Sequence, residues 1–363
     1  MTGKSAIEWT EATWNPIVGC SIVSPGCSNC YAMKMAARIE AMGGQSHYAG
    51  TTKRVNGNAV WTGKVALAAK ALMAPLKRNK STTYFVNSMG DLFHEDVPDA
   101  WIDSVFAVMA ACPEHTFQVL TKRAARMRDY FLRPPAKRDG IVEIARADII
   151  ADLVGDFWGG ADCHPLEWPL PNVWLGVSTE RQQEADQRIP LLLQTPAAIR
   201  FISAEPLLGP IDLLRLVVSP NERRDCLKGE LRGVIDGHTA WLKRTPPGID
   251  WVIAGGESGH GARPMSIQWV RELRDQCAGA AVPFFFKQWG EWHPAAAHAA
   301  GDPGRFAFGD YEHDRETMLQ VDGYPRQFTK FGARSTLVRV GKTRAGRLLD
   351  GVTHDAFPVR APA

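Results

Sequence analysis

Residues 173–203 read VWLGVSTERQQEADQRIPLLLQTPAAIRFIS, and the alternation inside this stretch decides the fold. Val173–Ser178 is a short, nearly unbroken apolar run that ends on the polar residues Ser178, Thr179 and Glu180. Gln182–Leu193 then carries apolar residues at helical spacing, and Ile199–Ser203 is a second short apolar run. A strand that is apolar on both faces must be covered on both faces. A strand of that kind, then a helix, then another such strand is a βαβ unit with parallel pairing.

Working outward, the same signal recurs at Thr83–Ser88, Thr116–Thr121, Trp251–Gly255 and Pro283–Lys287, with Thr13–Gly19 a candidate first strand. Helical periodicity returns at Ala100–Ala111 and Ser266–Ala278. Six or seven such units predict an α/β fold: a partial or full parallel (β/α) barrel with insertions and a C-terminal extension. The barrel is expected over residues 1–290, with insertions near 134–171 and 219–248, and a basic extension over 291–363. In parallel α/β folds ligands bind at the C-terminal ends of the strands. There the chain is polar or glycine-rich, as in Ser88-Met89-Gly90-Asp91, Thr121-Lys122-Arg123, Ala204-Glu205-Pro206 and Gly255-Gly256-Glu257. Strand ends are also polar simply because loops are solvated, so each of these residues carries a bland reading beside the functional one.

The bulk numbers narrow the class. At 363 residues, 45% hydrophobic and 22% charged, the chain is globular and long enough to fold without a metal staple. A net charge of +3 neither demands nor excludes nucleic acid. No apolar run reaches the ~20 residues a membrane helix needs, and residues 1–9 lack a signal-peptide core, so a cytoplasmic protein without a membrane partner is expected. In a reducing compartment a tight cysteine cluster points to metal or catalysis rather than to disulfides.

Such a cluster stands near the start, in Trp14-Asn-Pro-Ile-Val-Gly-Cys20-Ser-Ile-Val-Ser-Pro-Gly-Cys27-Ser-Asn-Cys30-Tyr31. Cys20, Cys27 and Cys30 are spaced C-x6-C-x2-C, and a helical segment follows. Three cysteines are one short of a closed four-cysteine site, whereas a three-cysteine [4Fe-4S] cluster keeps one iron open for a ligand. Zinc with a fourth ligand such as His94, or plain buried cysteines, are the competing readings. Cys112 and Cys277 lie in helical patterns and are expected in the core, and Cys163-His164 has no second pair nearby to complete a metal site.

A three-cysteine loop after the first strand of an α/β barrel resembles the radical S-adenosylmethionine (SAM) superfamily. The usual spacing there is C-x3-C-x2-C; here the first gap is longer. The W-N-P-x-x-G-C lead-in, the C-Y-A after Cys30, the G-G-E-S-G-x-G-A-R-P at 255–264 and the V-G-K-x-x-A-G-R-x-L-D-G at 340–351 resemble a phage- and prophage-borne family of radical-SAM-like proteins of unknown function. Cys30-Tyr31 is also distantly similar to spore photoproduct lyase. The resemblance implies a [4Fe-4S] cluster and SAM as cofactors, and a flavodoxin- or ferredoxin-like electron donor as partner. It also implies reductive cleavage of SAM at its C5′–S bond, giving methionine and a 5′-deoxyadenosyl radical.

Carried onto this chain, the resemblance makes Asp91 a candidate acceptor for the SAM ammonium, with Ser88 beside it at the end of the second strand. Ser178 and Glu180 become candidates for the ribose. Gly255 and Gly256 permit close backbone approach to a cofactor, although this G-G-E follows a much later strand than in the superfamily. Glu257 and Glu205 are the candidate catalytic carboxylates, Glu205 because its apolar neighbours make an unpaired charge expensive. Lys122, Arg123, Arg263 and Lys287 are candidates for a phosphate or carboxylate of the substrate. Trp289 and Trp292 either stack on a base or seal the barrel.

Two basic groups, Lys122 to Arg138 and Arg326 to Arg347, the second interleaved with Tyr324, Phe328 and Phe331, suit nucleic acid, and equally suit a solvated face. The expectation is therefore a radical SAM enzyme with nucleic acid or a nucleotide as the leading substrate class. The alternative is a non-catalytic iron–sulfur or zinc protein that binds nucleic acid or senses redox state.

Overall fold

The computed structural model describes residues 5, 7–43, 45–134, 140–147, 166–235, 238–244, 247–294, 319–321, 324–326, 328–331 and 335–359. Seven parallel strands form its centre: β1 (Ala12–Trp14), β2 (Thr83–Val86), β3 (Thr116–Thr121), β4 (Val173–Ser178), β5 (Ile199–Ala204), β6 (Trp251–Gly255) and β7 (Phe284–Gln288). They lie side by side in chain order, and the sheet curls into a half-barrel. β1 and β7 do not pair, so the fold is a partial barrel and not a full one. All six residues of β4 are buried, as its unbroken apolar run requires.

The crossovers are the helices α1 (Tyr31–Ala41), α2 (Asp99–Ala111), α3 (Ala124–Phe131), α4 (Gln182–Gln194) and α5 (Ile267–Ala280). One crossover departs from the pattern. Between β5 and β6 the chain builds a four-stranded antiparallel sheet from Leu216–Ser219, Glu222–Asp225, Glu230–Ile235 and His238–Arg244. This sheet overlaps the stretch near 219–248 where the sequence places an insertion. The other, near 134–171, lies mostly outside the described residues, as do Cys163 and His164. The expected first strand, Thr13–Gly19, is split: β1 joins the main sheet, whereas Ile17–Val18 turns away to pair antiparallel with Ala66–Leu67.

Side chains alternate between the two faces of the sheet. The convex face, with Trp14, Tyr84, Phe117, Val119 and Leu175, packs against helices in the main core. The concave face fills its lower part with rings, Trp9, Trp174, Phe201, Trp251 and Phe285. Gly176 keeps the layer tight, since a Cβ there would meet the Phe201 ring 2.5 Å away.

The C-terminal segment returns to the half-barrel. The Phe286 amide donates to the His354 carbonyl at 2.8 Å, and Phe285 and Asp355 form an antiparallel bridge along the margin of β7. Phe357 packs on Trp251, whose indole Nε1 donates to the Ala356 carbonyl at 2.9 Å. Upstream, Leu348–Leu349 and Val352–Thr353 form a hairpin over Asp350-Gly351, both residues at positive φ as a tight two-residue turn demands. Arg271 and Arg274 of α5 pair with Asp350 and pin the hairpin down. Among the described residues no helix is long and apolar enough to cross a membrane.

Candidate functional site

The three cysteines sit on the loop that leaves the C-terminal end of β1. Gly19, at φ +89°, begins it; a side chain there would strike the Lys64 carbonyl, so only glycine fits. Pro25–Cys27 is a single 3₁₀ turn, with the Cys27 amide bonded to the Ser24 carbonyl at 2.9 Å, and Cys30 stands at the N-terminus of α1. None of the three is in a disulfide; Cys27 is buried, and Cys20 and Cys30 are half-buried. Burial, then Asp91, pushes the Cys20 thiol up to about 12 against the pull of Arg123. Cys30 is also raised, by burial and then by Cys27. Cys27 goes the other way: burial raises it, but Lys122 and backbone groups of Val23 and Ser24 outweigh that and bring it below the usual thiol value.

A ring of buried charge backs this loop. Asp91 accepts from Thr121 Oγ1 at 2.6 Å, from the Phe93 and Lys122 amides, and from the Arg123 guanidinium at 3.0 Å. Arg123 also reaches Ser21 Oγ at 2.6 Å, Glu95, and Cys20 Sγ at 3.5 Å. Glu180 is fully buried and takes Lys122, Arg188 at 2.9 Å and Ser24 Oγ at 2.7 Å. Ser24 Oγ in turn lies 3.8 Å from Cys27 Sγ. Gly26 leaves room for that carboxylate, which a Cβ would strike. Burial lowers the Lys122 pKa.

The loop after β6 closes the other side. Glu257 accepts from the Arg263 amide at 2.8 Å, from its guanidinium at 2.6 and 2.9 Å, and from Asn29 of the cysteine loop at 3.0 Å. Arg263 also donates to the Pro25 carbonyl at 3.0 Å. Glu205 pairs with Lys287 at 3.2 Å and accepts from Ser203 at 3.3 Å.

The predicted site residues are thus brought to one end of the half-barrel. Asp91, Glu180 and Glu257 accept hydrogen bonds from side chains and amides of this chain and brace the cysteine loop. Lys122, Arg123 and Arg263 are their partners. Gly256 is small because the Trp289 carbonyl presses on it, and Gly255 because Glu205 does. Ser178 is buried, and its carbonyl accepts from Arg188. Ser88 donates to Asn15 Oδ1 at 3.1 Å and faces open space. Trp289 and Trp292 are buried and seal the wall, their indoles bonded to the carbonyls of Leu348 and Ala262. His94 meets Ser21 Oγ at 3.0 Å through Nε2 and accepts from the Asp96 amide at 3.1 Å through Nδ1.

Ser21, Ser24, Asn29 and Arg188 were not singled out from sequence. Arg188 had a signal. Glu184 and Arg188 share the α4 face that carries Ala185, Ile189 and Leu192, and charges on a core face call for partners.

The donor set is compatible in its chemistry with an iron–sulfur cluster: three thiols on one loop, free of disulfides, with the Arg123 guanidinium at Cys20 and the positive charge of Lys122 acting on Cys27 to offset thiolate charge. A single tetrahedral zinc, with Zn–S bonds of about 2.3 Å, would draw its sulfurs to about 3.8 Å from one another. Among the described residues, the group whose ligand atoms all lie within 4.8 Å is Cys112, Glu114 and His115 at the far end of β3, not the N-terminal cysteines.

Beside the cysteine loop lies a cavity of about 1220 Å³ at the gap between β1 and β7. Thr13 and Asn15 line it from one margin and Lys287 and Gln288 from the other, with Tyr31, next to Cys30, at its wall.

Fold and site together define a class: an α/β half-barrel protein with a cysteine-loop centre at the C-terminal mouth of its strands. The chain belongs to a family described as a protein of unknown function (DUF5131), whose model matches residues 4–358. Neither a curated protein nor a solved structure matches it.

Proposed function

We propose that this chain is an iron–sulfur enzyme that cleaves S-adenosylmethionine reductively and acts on a nucleotide-type substrate. The observation that carries the reading is the group of free thiols, Cys20, Cys27 and Cys30, at the mouth of a parallel half-barrel and next to a large cavity. Those three residues would hold a [4Fe-4S] cluster, which when bound supplies an electron and an open iron. The chain itself does the rest. Arg123 and Lys122 offset the negative charge of the thiolates. Glu257 and Arg263 fix the loop through Asn29 and Pro25. The rings around Trp251 fill the lower part of the concave face. A flavodoxin- or ferredoxin-like protein is the class of electron donor this chemistry needs.

The test is direct. Anaerobically reconstituted, dithionite-reduced protein is expected to release 5′-deoxyadenosine and methionine from SAM. A chain that takes up iron and sulfide yet releases neither product would be a cluster-binding protein without this activity, and the proposal would fall.

A further inference from the structure

The cavity between β1 and β7 is lined by residues outside the ring of buried charge that backs the cysteine loop. Its charged side chains are Lys70, Lys287 and Lys342, and no carboxylate is among the described residues that line it. Lys70 and Lys342 are exposed and have no ion pair among the described residues. Lys287 leans on Glu205 at 3.2 Å, which leaves ammonium hydrogens for a second acceptor. One wall is aromatic: Tyr31, 65% exposed, stands at the start of α1, and His47 packs against Tyr48 with ring centroids 4.8 Å apart. In the lining, Gln288 is only 6% exposed, and its side-chain carbonyl oxygen has no hydrogen-bond donor. An acceptor buried without a donor is costly unless a ligand supplies the hydrogen.

Lysines without carboxylates, flat rings and one unmet amide acceptor call for a ligand with an anion, a ring and an N–H. We propose that this cavity binds a nucleotide, with its phosphate on Lys70 and Lys342, its base against Tyr31, and a ring or exocyclic N–H of the base on Gln288. The inference rests on the enzymatic reading above, since it names the substrate class for that mouth. Volume favours a nucleotide within a strand over a free one. Small-ligand sites fill roughly 300–1000 Å³, whereas this cavity is about 1220 Å³ and opens sideways where the sheet stops. Cationic grooves with aromatic walls suit single strands in general.

The experiment is fluorescence anisotropy of a labelled short single-stranded oligonucleotide, DNA and RNA in turn, titrated with the full reconstituted chain. Saturable binding is expected, weakening as salt rises. A mononucleotide competes, whereas the matching nucleoside and inorganic phosphate alone do not. A mononucleotide as tight as the oligonucleotide assigns the site to the free compound; a weaker one assigns it to the strand. Lys70→Ala/Lys342→Ala is expected to flatten the log–log salt slope by about 0.7, the share of one phosphate. Tyr31→Ala should weaken binding by about tenfold, and Gln288→Leu should weaken it further than a control change on the convex face. Absence of binding at low salt, or the same affinity and slope in the lysine double variant, overturns the proposal. SAM cleavage is assayed on the same wild-type preparation without oligonucleotide, so failure of the substrate assignment and failure of the SAM reading appear in different columns of the data.

Discussion

The two ends of the half-barrel are built from opposite materials. The bottom of the concave face is a plug of rings around Trp251, with Trp174, Phe201 and Phe285 at centroid distances of 5.9, 5.7 and 6.1 Å. The mouth buries charge instead: Asp91, Arg123, Glu180 and Arg188 are all nearly out of solvent. Rings are stabilising wherever they are buried. Buried ions often do no better than break even, and are held in place only by complete pairing. The bottom can therefore be explained by stability alone. The mouth is held by pairing instead, and there the Arg123 guanidinium also reaches Cys20 Sγ while the charge of Lys122 acts on Cys27.

The largest effect that would sharpen this contrast is on the cysteines. Cys27→Ala is expected to abolish the brown iron–sulfur absorbance and SAM cleavage while far-ultraviolet circular dichroism stays that of the parent; full iron content in the variant would refute the ligand assignment. Next come two substitutions of similar energetic size at opposite ends. Glu180→Leu strands Lys122 and Arg188 and should cost about 3–5 kcal/mol in denaturant unfolding. Trp251→Ala empties the centre of the plug and should cost about 3–5 kcal/mol. The contrast predicts that only the first also lowers iron content per chain. Equal iron loss in both would erase the distinction between the ends.

The smallest effect concerns pH. Hydrogen bonds from Arg271 hold the Asp350 carboxyl below its ordinary value, partial burial opposes this, and Arg274 adds to the lowering. A carboxylate whose folded pKa is depressed contributes stability above its unfolded value of about 3.9, and that contribution disappears as pH falls through the folded one. Limited proteolysis of the C-terminal hairpin should therefore quicken below about pH 4 in the parent and show a flatter pH response in Asp350→Asn. Identical profiles would mean that the pin contributes nothing measurable.

Much of the architecture was legible because strands such as Val173–Ser178 and Thr116–Thr121 are apolar on both faces and recur between helices; both have the boundaries expected from sequence. The cysteine loop was legible as spacing. Its supports were not. Lys122 at a strand end reads as an anion binder, and nothing local reveals that Glu180, reached through a 58-residue separation, will pair with it. Gly256 looks like room for a ligand, whereas the space belongs to the Trp289 carbonyl. Sequence patterns report what a residue is and what surrounds it along the chain. They do not report which distant partner already occupies its hydrogen bonds.

The strap over β7 has a consequence beyond this one molecule. Phe284-Phe285-Phe286 is an aromatic run at the margin of a sheet, and a bare margin of that kind recruits strands from other copies. His354 and Asp355 occupy it from the same chain. By taking the place another copy would otherwise fill, the strap guards against edge-to-edge aggregation, and trimming the chain before His354 would expose a surface primed for polymerisation.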